Sequence, residues 1–161
     1  MFKSFSLETC KLTLKNIVFL SLFLKNNKII QNLNLSDNGI GDTAMTALCE
    51  SITLNKTLKT IDIGSNEIGD TGMIAFSEGI KNNNSLETIK LEWNIFGDKG
   101  MIAFSEAIKL NKSIKFIDLG GNERIGTLGI IALSEAIKVN KCLETIQLYC
   151  ILMDVTGIIA L

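Results

Sequence analysis

Gly121 and Gly126 enclose four residues in the stretch IDLGGNERIGTLGIIAL, which begins at Ile117. An apolar strand feeding a G-x-x-x-x-G loop and then an apolar helix is the arrangement that turns backbone N–H groups onto a phosphate. That chemistry also needs a lysine after the second glycine, followed by Ser or Thr. Here Thr127 and Leu128 follow Gly126, so no ammonium is in place to reach a phosphate. Arg124, the only arginine, lies inside the same stretch and has the chemistry of an arginine finger, but no surrounding motif matches it to that role. The four cysteines, Cys10, Cys49, Cys142 and Cys150, form no C-x-x-C pair and read as small reduced hydrophobes. The chain contains no histidine, which excludes a Ser-His-Asp triad, a Cys-His dyad and any imidazole-ligated metal. We therefore expect no catalytic residues, no metal, no cofactor and no enzymatic activity.

The bulk properties agree with a single binding domain. The 161 residues suffice for one core, 47% are hydrophobic, and the formal net charge is −1. That balance argues against disorder and against nucleic acid as a partner. The segment IVFLSLFL, 17–24, is too short to span a bilayer, and no small-residue cleavage site follows it, so neither a membrane span nor a signal peptide is expected. A cytoplasmic location is the corresponding expectation.

What positions these residues is a repeat. LKTIDIGSNEIGDTGMIAFSEGIKNNNS, from Leu58, and LETIKLEWNIFGDKGMIAFSEAIKLNKS, from Leu86, align without a gap at a period of 28. Stepping in both directions divides the chain into units 2–29, 30–57, 58–85, 86–113, 114–142 and 143–161. The fifth carries one extra residue near Glu123–Arg124, and the last is truncated. The whole chain, 1–161, reads as one domain. Within a unit, Ile61 and Ile63 alternate with Thr60 and Asp62, the pattern of a half-buried strand. Met73, Phe76 and Ile80 then recur at helical spacing. No unit can bury its own apolar face, so each depends on its neighbours.

Leu58, Ile61, Ile63 and Asn66 spell L-x-x-[IL]-x-[LI]-x-x-N, which resembles the leucine-rich repeat. The 28-residue length and helical second half are similar to the ribonuclease-inhibitor-like subclass, found in NOD-like receptors and in activators of the Ran GTPase. The resemblance covers nearly the full chain. It implies an α/β fold: a curved, right-handed solenoid with a parallel sheet on the concave face and helices on the convex face. It also implies a non-catalytic protein-interaction module, such as the array of a NOD-like receptor-type protein. The alternative it implies is a regulator of a small GTPase resembling the Ran activators.

The recurring amides are expected to be structural. Asn38, Asn66, Asn94 and Asn122 end the strands and can satisfy loop backbone groups as a ladder. Asn27, Asn55, Asn83, Asn111 and Asn140 follow the helices, where a left-handed capping residue is expected. Asp42, Asp70 and Asp98 precede the helices and suit N-caps. Cys10 and Ile151 replace the ladder amide in the first and last units, and Ile151 cannot make its bonds.

Function then falls to the outward strand positions and the rim beyond them. Trp93, Phe116 and Tyr149 occupy such positions in three consecutive units, with Lys90, Glu92 and Asp118 as a polar rim. A protein-binding patch on these six residues is expected; the other reading is that the rings pack on neighbouring units or cover an open end. Both ends are apolar, through IVFLSLFL and GIIAL, so either the chain is part of a longer array or its ends associate with a partner or another copy.

Overall fold

In a computed structural model, residues 2–152 and 155–160 are described. Leu161, the end of the truncated last unit, lies outside them. Strand and helix alternate throughout: β1 (Ser4–Ser6), α1 (Leu14–Asn26), β2 (Asn32–Asn34), α2 (Asp42–Leu54), β3 (Thr60–Asp62), α3 (Asp70–Lys81), β4 (Thr88–Lys90), α4 (Asp98–Leu110), β5 (Phe116–Asp118), α5 (Thr127–Val139), β6 (Thr145–Gln147) and α6 (Val155–Ala160). The strands form one parallel sheet in sequence order, β1 to β6. Register follows the repeat, with Ile61 beside Leu33 and Ile89, and Ile117 beside Ile89 and Ile146. This is the expected α/β solenoid of stacked strand–helix units.

Two residues in each strand face opposite ways from the one between them, and that alternation divides the molecule. Ile61 and Ile63 are fully buried, as are Met73, Phe76 and Ile80 of α3 and the loop residue Ile68. The same positions in neighbouring units continue the core, and Phe76 stacks on Phe104 at 6.4 Å. The sheet's other face carries Asn34, Asp62, Lys90, Asp118 and Gln147 side by side.

Between units the backbone is held by three sets of side chains. The first is the strand-end amide. Asn66 Nδ2 donates to the carbonyls of Leu35, Ile63 and Gly64 at 2.9–3.1 Å, while its Oδ1 accepts from the N–H groups of Asn38 and Ile40 in the preceding unit. Asn38 does the same for the first unit, accepting from Cys10 N and Leu12 N, so Cys10 loses nothing by lacking an amide of its own. At the far end, Ile151 packs against the core instead.

The second amide column corrects the left-handed expectation. Asn27, Asn55, Asn111 and Asn140 have φ between −69° and −75° and ψ between 129° and 140°, which is extended backbone. The chain must run straight from helix into the next strand, so a left-handed cap has no place here. The side chain does the capping across units: Asn83 Nδ2 donates to Ile52 O and Asn55 O, at the end of the preceding helix, at 2.7 and 3.0 Å.

The aspartates also differ from expectation. Asp42, Asp70 and Asp98 are the first helical residues, and glycine occupies each N-cap without a side-chain bond. Their carboxylates cap the following helix instead. Asp70 Oδ1 accepts from Gly97 N and Gly100 N at 2.8 Å, as Asp42 does for Gly69 and Gly72. Asp98 reaches Gly126 N and Gly129 N in the same way, so the extra residue at Glu123–Arg124 is absorbed before α5 begins. An Oδ1 placed this closely leaves no space for a side chain: a methyl group on Gly72 would come within 2.7 Å of it.

Candidate binding surface

The outward strand residues shape the sheet's C-terminal edge before any ligand is considered. Asp62 Oδ1 accepts from Gly64 N at 3.2 Å and Asp118 Oδ1 from Gly120 N at 2.9 Å; Asn34 makes the same bond to Ser36 N. Each such bond turns the chain out of the strand. The third residue after the strand's last is left-handed in every unit: Thr9, Asp37, Ser65, Trp93, Gly121 and Cys150 have φ between 50° and 72°. Asp and Gly adopt that conformation cheaply, whereas a tryptophan does not. Trp93 is nonetheless held there by its N–H, which donates to Gly120 O at 2.8 Å.

Side-chain size alternates along this edge. Glu92 lies across Gly64, where an added methyl would meet its carboxyl carbon at 2.6 Å. Tyr149 lies over Gly120, and Trp93 over Gly121, so that a Cβ on either glycine would come within 2.2 or 2.5 Å of a ring carbon. The glycine pair is therefore a bare backbone floor on which two rings rest from opposite sides. Trp93 and Tyr149 remain 49% and 44% exposed. Trp93 also borders an open groove of about 380 Å³, shared with Ile95, Gly121, Glu123 and Arg124. The residues of the insertion thus form part of the surface beside the ring.

Beneath the rings lies a concentration of charge. Lys90 Nζ sits 3.2 Å from Asp62 Oδ2. That hydrogen bond, more than any other influence, holds the ammonium above its ordinary range, with Glu92 and Asp118 adding to it and burial opposing. Burial pushes the Glu92 carboxyl up, and repulsion from Asp62 and Asp118 adds to the shift, against its own backbone amide and Lys90. Its Oε2 is buried and has no hydrogen-bond partner among the described residues. Burial also raises the Tyr149 phenol, helped by the negative charge of Asp118 and Glu92. Asp118 itself is buried.

Of the residues expected to form the patch, the structure brings together Lys90, Glu92, Trp93, Asp118 and Tyr149. Phe116 stands apart. It pairs in register with Thr88 and Thr145 at the strand's opposite end, roughly 13 Å from Gly120 along an extended chain. Among the described residues it stacks on neither ring. The sequence reading missed Asp62 and the fold of Glu92 across Gly64. The signal was the column Gly64, Glu92, Gly120, Tyr149, in which small and large residues alternate once the units are aligned.

All four cysteines are free, and burial pushes the Cys49 thiol up to about 12. Among the described residues no three His, Cys, Asp or Glu side chains are placed to hold a metal, and no helix is long and apolar enough to cross a membrane. Arg124 is exposed on the bulge and makes no ion pair among the described residues.

Comparison with known proteins agrees with this architecture. A family model described as "Leucine Rich repeat" matches residues 21–49, 54–77, 82–105 and 110–134, together more than half of the chain. No curated protein sequence matches. Among solved structures, one titled "Leiomodin-1 Actin-Binding Site 2 (ABS2)" superposes with a TM-score of 0.76 at 16% identity, over 86% of this chain and 80% of that one. The tropomodulin C-terminal domain from Caenorhabditis elegans superposes with a TM-score of 0.71 at 19% identity, over 86% of this chain and 84% of that one. With its repeats matched by the family model and its fold shared with these structures, the chain belongs to the leucine-rich repeat family.

Proposed function

We propose that the chain is a non-catalytic protein-binding module that engages its partner with the sheet face and C-terminal rim of β4–β6. The carrying observation is the pair of half-exposed rings, Trp93 and Tyr149, seated on the Gly120–Gly121 backbone above Lys90, Glu92 and Asp118. A ring held rigidly against backbone loses little entropy on contact, which is what makes aromatic anchors effective. The excess of carboxylates over lysine favours a partner segment carrying Lys or Arg, whose cation would lie on the rings and meet Glu92. Phe116 would contribute only to a partner that also follows the strand to its N-terminal end.

The structure titled as an actin-binding site makes actin the first partner to try. Co-sedimentation with actin should be compared for the wild type and for Trp93→Ala and Tyr149→Ala. If actin does not bind, a photocrosslinker at position 93 should identify the partner. Each ring removed is expected to weaken binding about tenfold or more. Unchanged affinity of an identified partner for both variants would overturn this reading.

The 28-residue unit with a full helix supports placement in the ribonuclease-inhibitor-like subclass, as in NOD-like receptor arrays. A GTPase-regulating role of the Ran-activator kind rests on Arg124, exposed beside the Trp93 groove. Accelerated GTP hydrolysis by a small GTPase, lost in Arg124→Ala, would favour it over simple binding.

A further inference from the structure

The first unit differs from the others on the face its helix turns away from the stack. In α2 to α5 the residues facing the preceding unit are small: Ala44, Ala47 and Ser51, then Gly72, Ala75 and Gly79, and Gly or Ala at every equivalent in α4 and α5. The spacing is tight enough that a methyl on Gly79 would meet the Cys49 carbonyl oxygen at 3.2 Å. In α1 the same positions hold Asn16, Phe19 and Phe23. Helices can approach this closely only with small residues between them, so another unit of the same kind cannot stack on α1.

The start of α1 says the same independently. The helices α3 to α5 begin at uncapped glycines and rely on an aspartate from the unit before. Among the described helix starts only α1 carries a complete capping box of its own, with Thr13 Oγ1 accepting from Asn16 N, and Asn16 Oδ1 from Thr13 N. Its first turn needs nothing from a preceding layer.

The face so formed is not polar, as a solenoid's terminal face should be. Phe5, Leu7, Leu12, Phe19 and Phe23 line a groove of about 390 Å³ between β1 and α1, with Phe5 edge-on to Phe23 at 6.5 Å. Phe19, Leu22 and Phe23 are exposed around it. Residues 2–29 carry Lys3, Lys11, Lys15, Lys25 and Lys28 against a single acid, Glu8, although the whole chain has one more acidic than basic residue. Lys25, paired with Glu50, and Lys28 line a separate groove against the second unit. Lys3, Lys11 and Lys15 lie within four residues of the groove residues Phe5, Leu12 and Phe19 and make no ion pair among the described residues.

We propose that this face is the built end of the array and docks an acidic amphipathic helix, whose apolar side fills the Phe5–Phe19–Phe23 groove while its carboxylates meet Lys3, Lys11 and Lys15. Helix-in-groove docking suits the recess between strand and helix. The exposed edge of β1 is only three residues long, Ser4–Ser6, and offers little to an added strand. A second copy docked face to face would set lysines against lysines.

The test uses the full chain and a fluorescent synthetic helix of Leu, Ala and Glu, with a twin in which Lys replaces Glu. Fluorescence anisotropy should show saturable binding of the acidic helix and none of its twin. Phe19→Ser with Phe23→Ser, at exposed positions, should weaken binding about tenfold or more. Lys11→Glu with Lys15→Glu should weaken it similarly without touching the apolar groove, and serves if the phenylalanine variant misfolds. Trp93→Ala should bind the acidic helix as the wild type does, which separates this face from the rim. Failure to bind the acidic helix, equal binding of both helices, or retained affinity in the variants would overturn the proposal. So would binding to phosphatidylserine vesicles in preference to the helix, or a dimer in light scattering that the helix does not dissociate.

Discussion

Trp93 is the residue at which local backbone cost and exposed surface coincide. Its left-handed φ of 55° costs a non-glycine residue about 1–2 kcal/mol, and a half-exposed ring resting on Gly121 returns an amount of the same order. Trp93→Gly should therefore change stability in urea by no more than about 1 kcal/mol while removing the anchor for a partner. A loss above about 3 kcal/mol would show that the ring holds the fold rather than a ligand. Glu92 makes a second prediction at this scale. Burial and like charges raise its folded pKa above the ordinary value of 4.5, so above that folded pKa the charged carboxylate costs stability. Below the ordinary value it is protonated in folded and unfolded chains alike, and the cost vanishes. Glu92→Gln should thus melt higher than the wild type at neutral pH, with the difference closing as pH falls toward and below 4.5. A difference that stays constant with pH would trace the gain to packing instead.

The helices are joined by aspartates that act one unit ahead, and substitutions should be felt where the bond ends. Asp70→Ala should destabilise by about 0.5–2 kcal/mol, with faster amide exchange at Gly97 and Gly100 in α4 rather than within α3. Gly100→Ala should reverse the usual sign. In an ordinary helix interior alanine gains about 0.5–1 kcal/mol over glycine. Here the new methyl would lie 3.0 Å from Asp70 Oδ1 and from Met73 Cβ, so a loss of about 1–3 kcal/mol is expected in thermal or urea unfolding. These devices also mark the limit of what the sequence makes legible. The period locates every strand and helix because apolar positions recur with it, and the strand-end amides are visible as a column. The direction in which Asp70 reaches is not visible, because its partners lie 27 and 30 residues away and become neighbours only when units stack. For the same reason Asn83 reads as a left-handed cap in one dimension and proves to be a bridge in three. At the rim, residue type makes Trp93 and Tyr149 candidates, but only stacking shows that Gly120 and Gly121 carry them and that Phe116 lies elsewhere.

In the molecule as a whole, neighbouring units are stitched by bonds running both ways: carboxylates serve the unit ahead, and amides serve the unit behind. Asn83 is fully buried, donates to Ile52 O and Asn55 O, and accepts from Ser85 N and Leu86 N. Asn83→Ala should cost at least about 1–3 kcal/mol, and amide exchange should rise at the end of α2 as well as in the loop before β4. Deleting Arg124 should be far milder, because Asp98 already reaches Gly126 and Gly129 across the inserted residue; circular dichroism and cooperative unfolding should survive. The two directions of stitching differ in time. As the chain leaves the ribosome, each aspartate is in place before the helix it caps, but each strand-end amide arrives with the unit after the one it completes. At about 5–20 residues per second, a 28-residue unit waits on the order of seconds for its amides. The newest unit is therefore always the unfinished one, and folding trails synthesis by one layer of the stack.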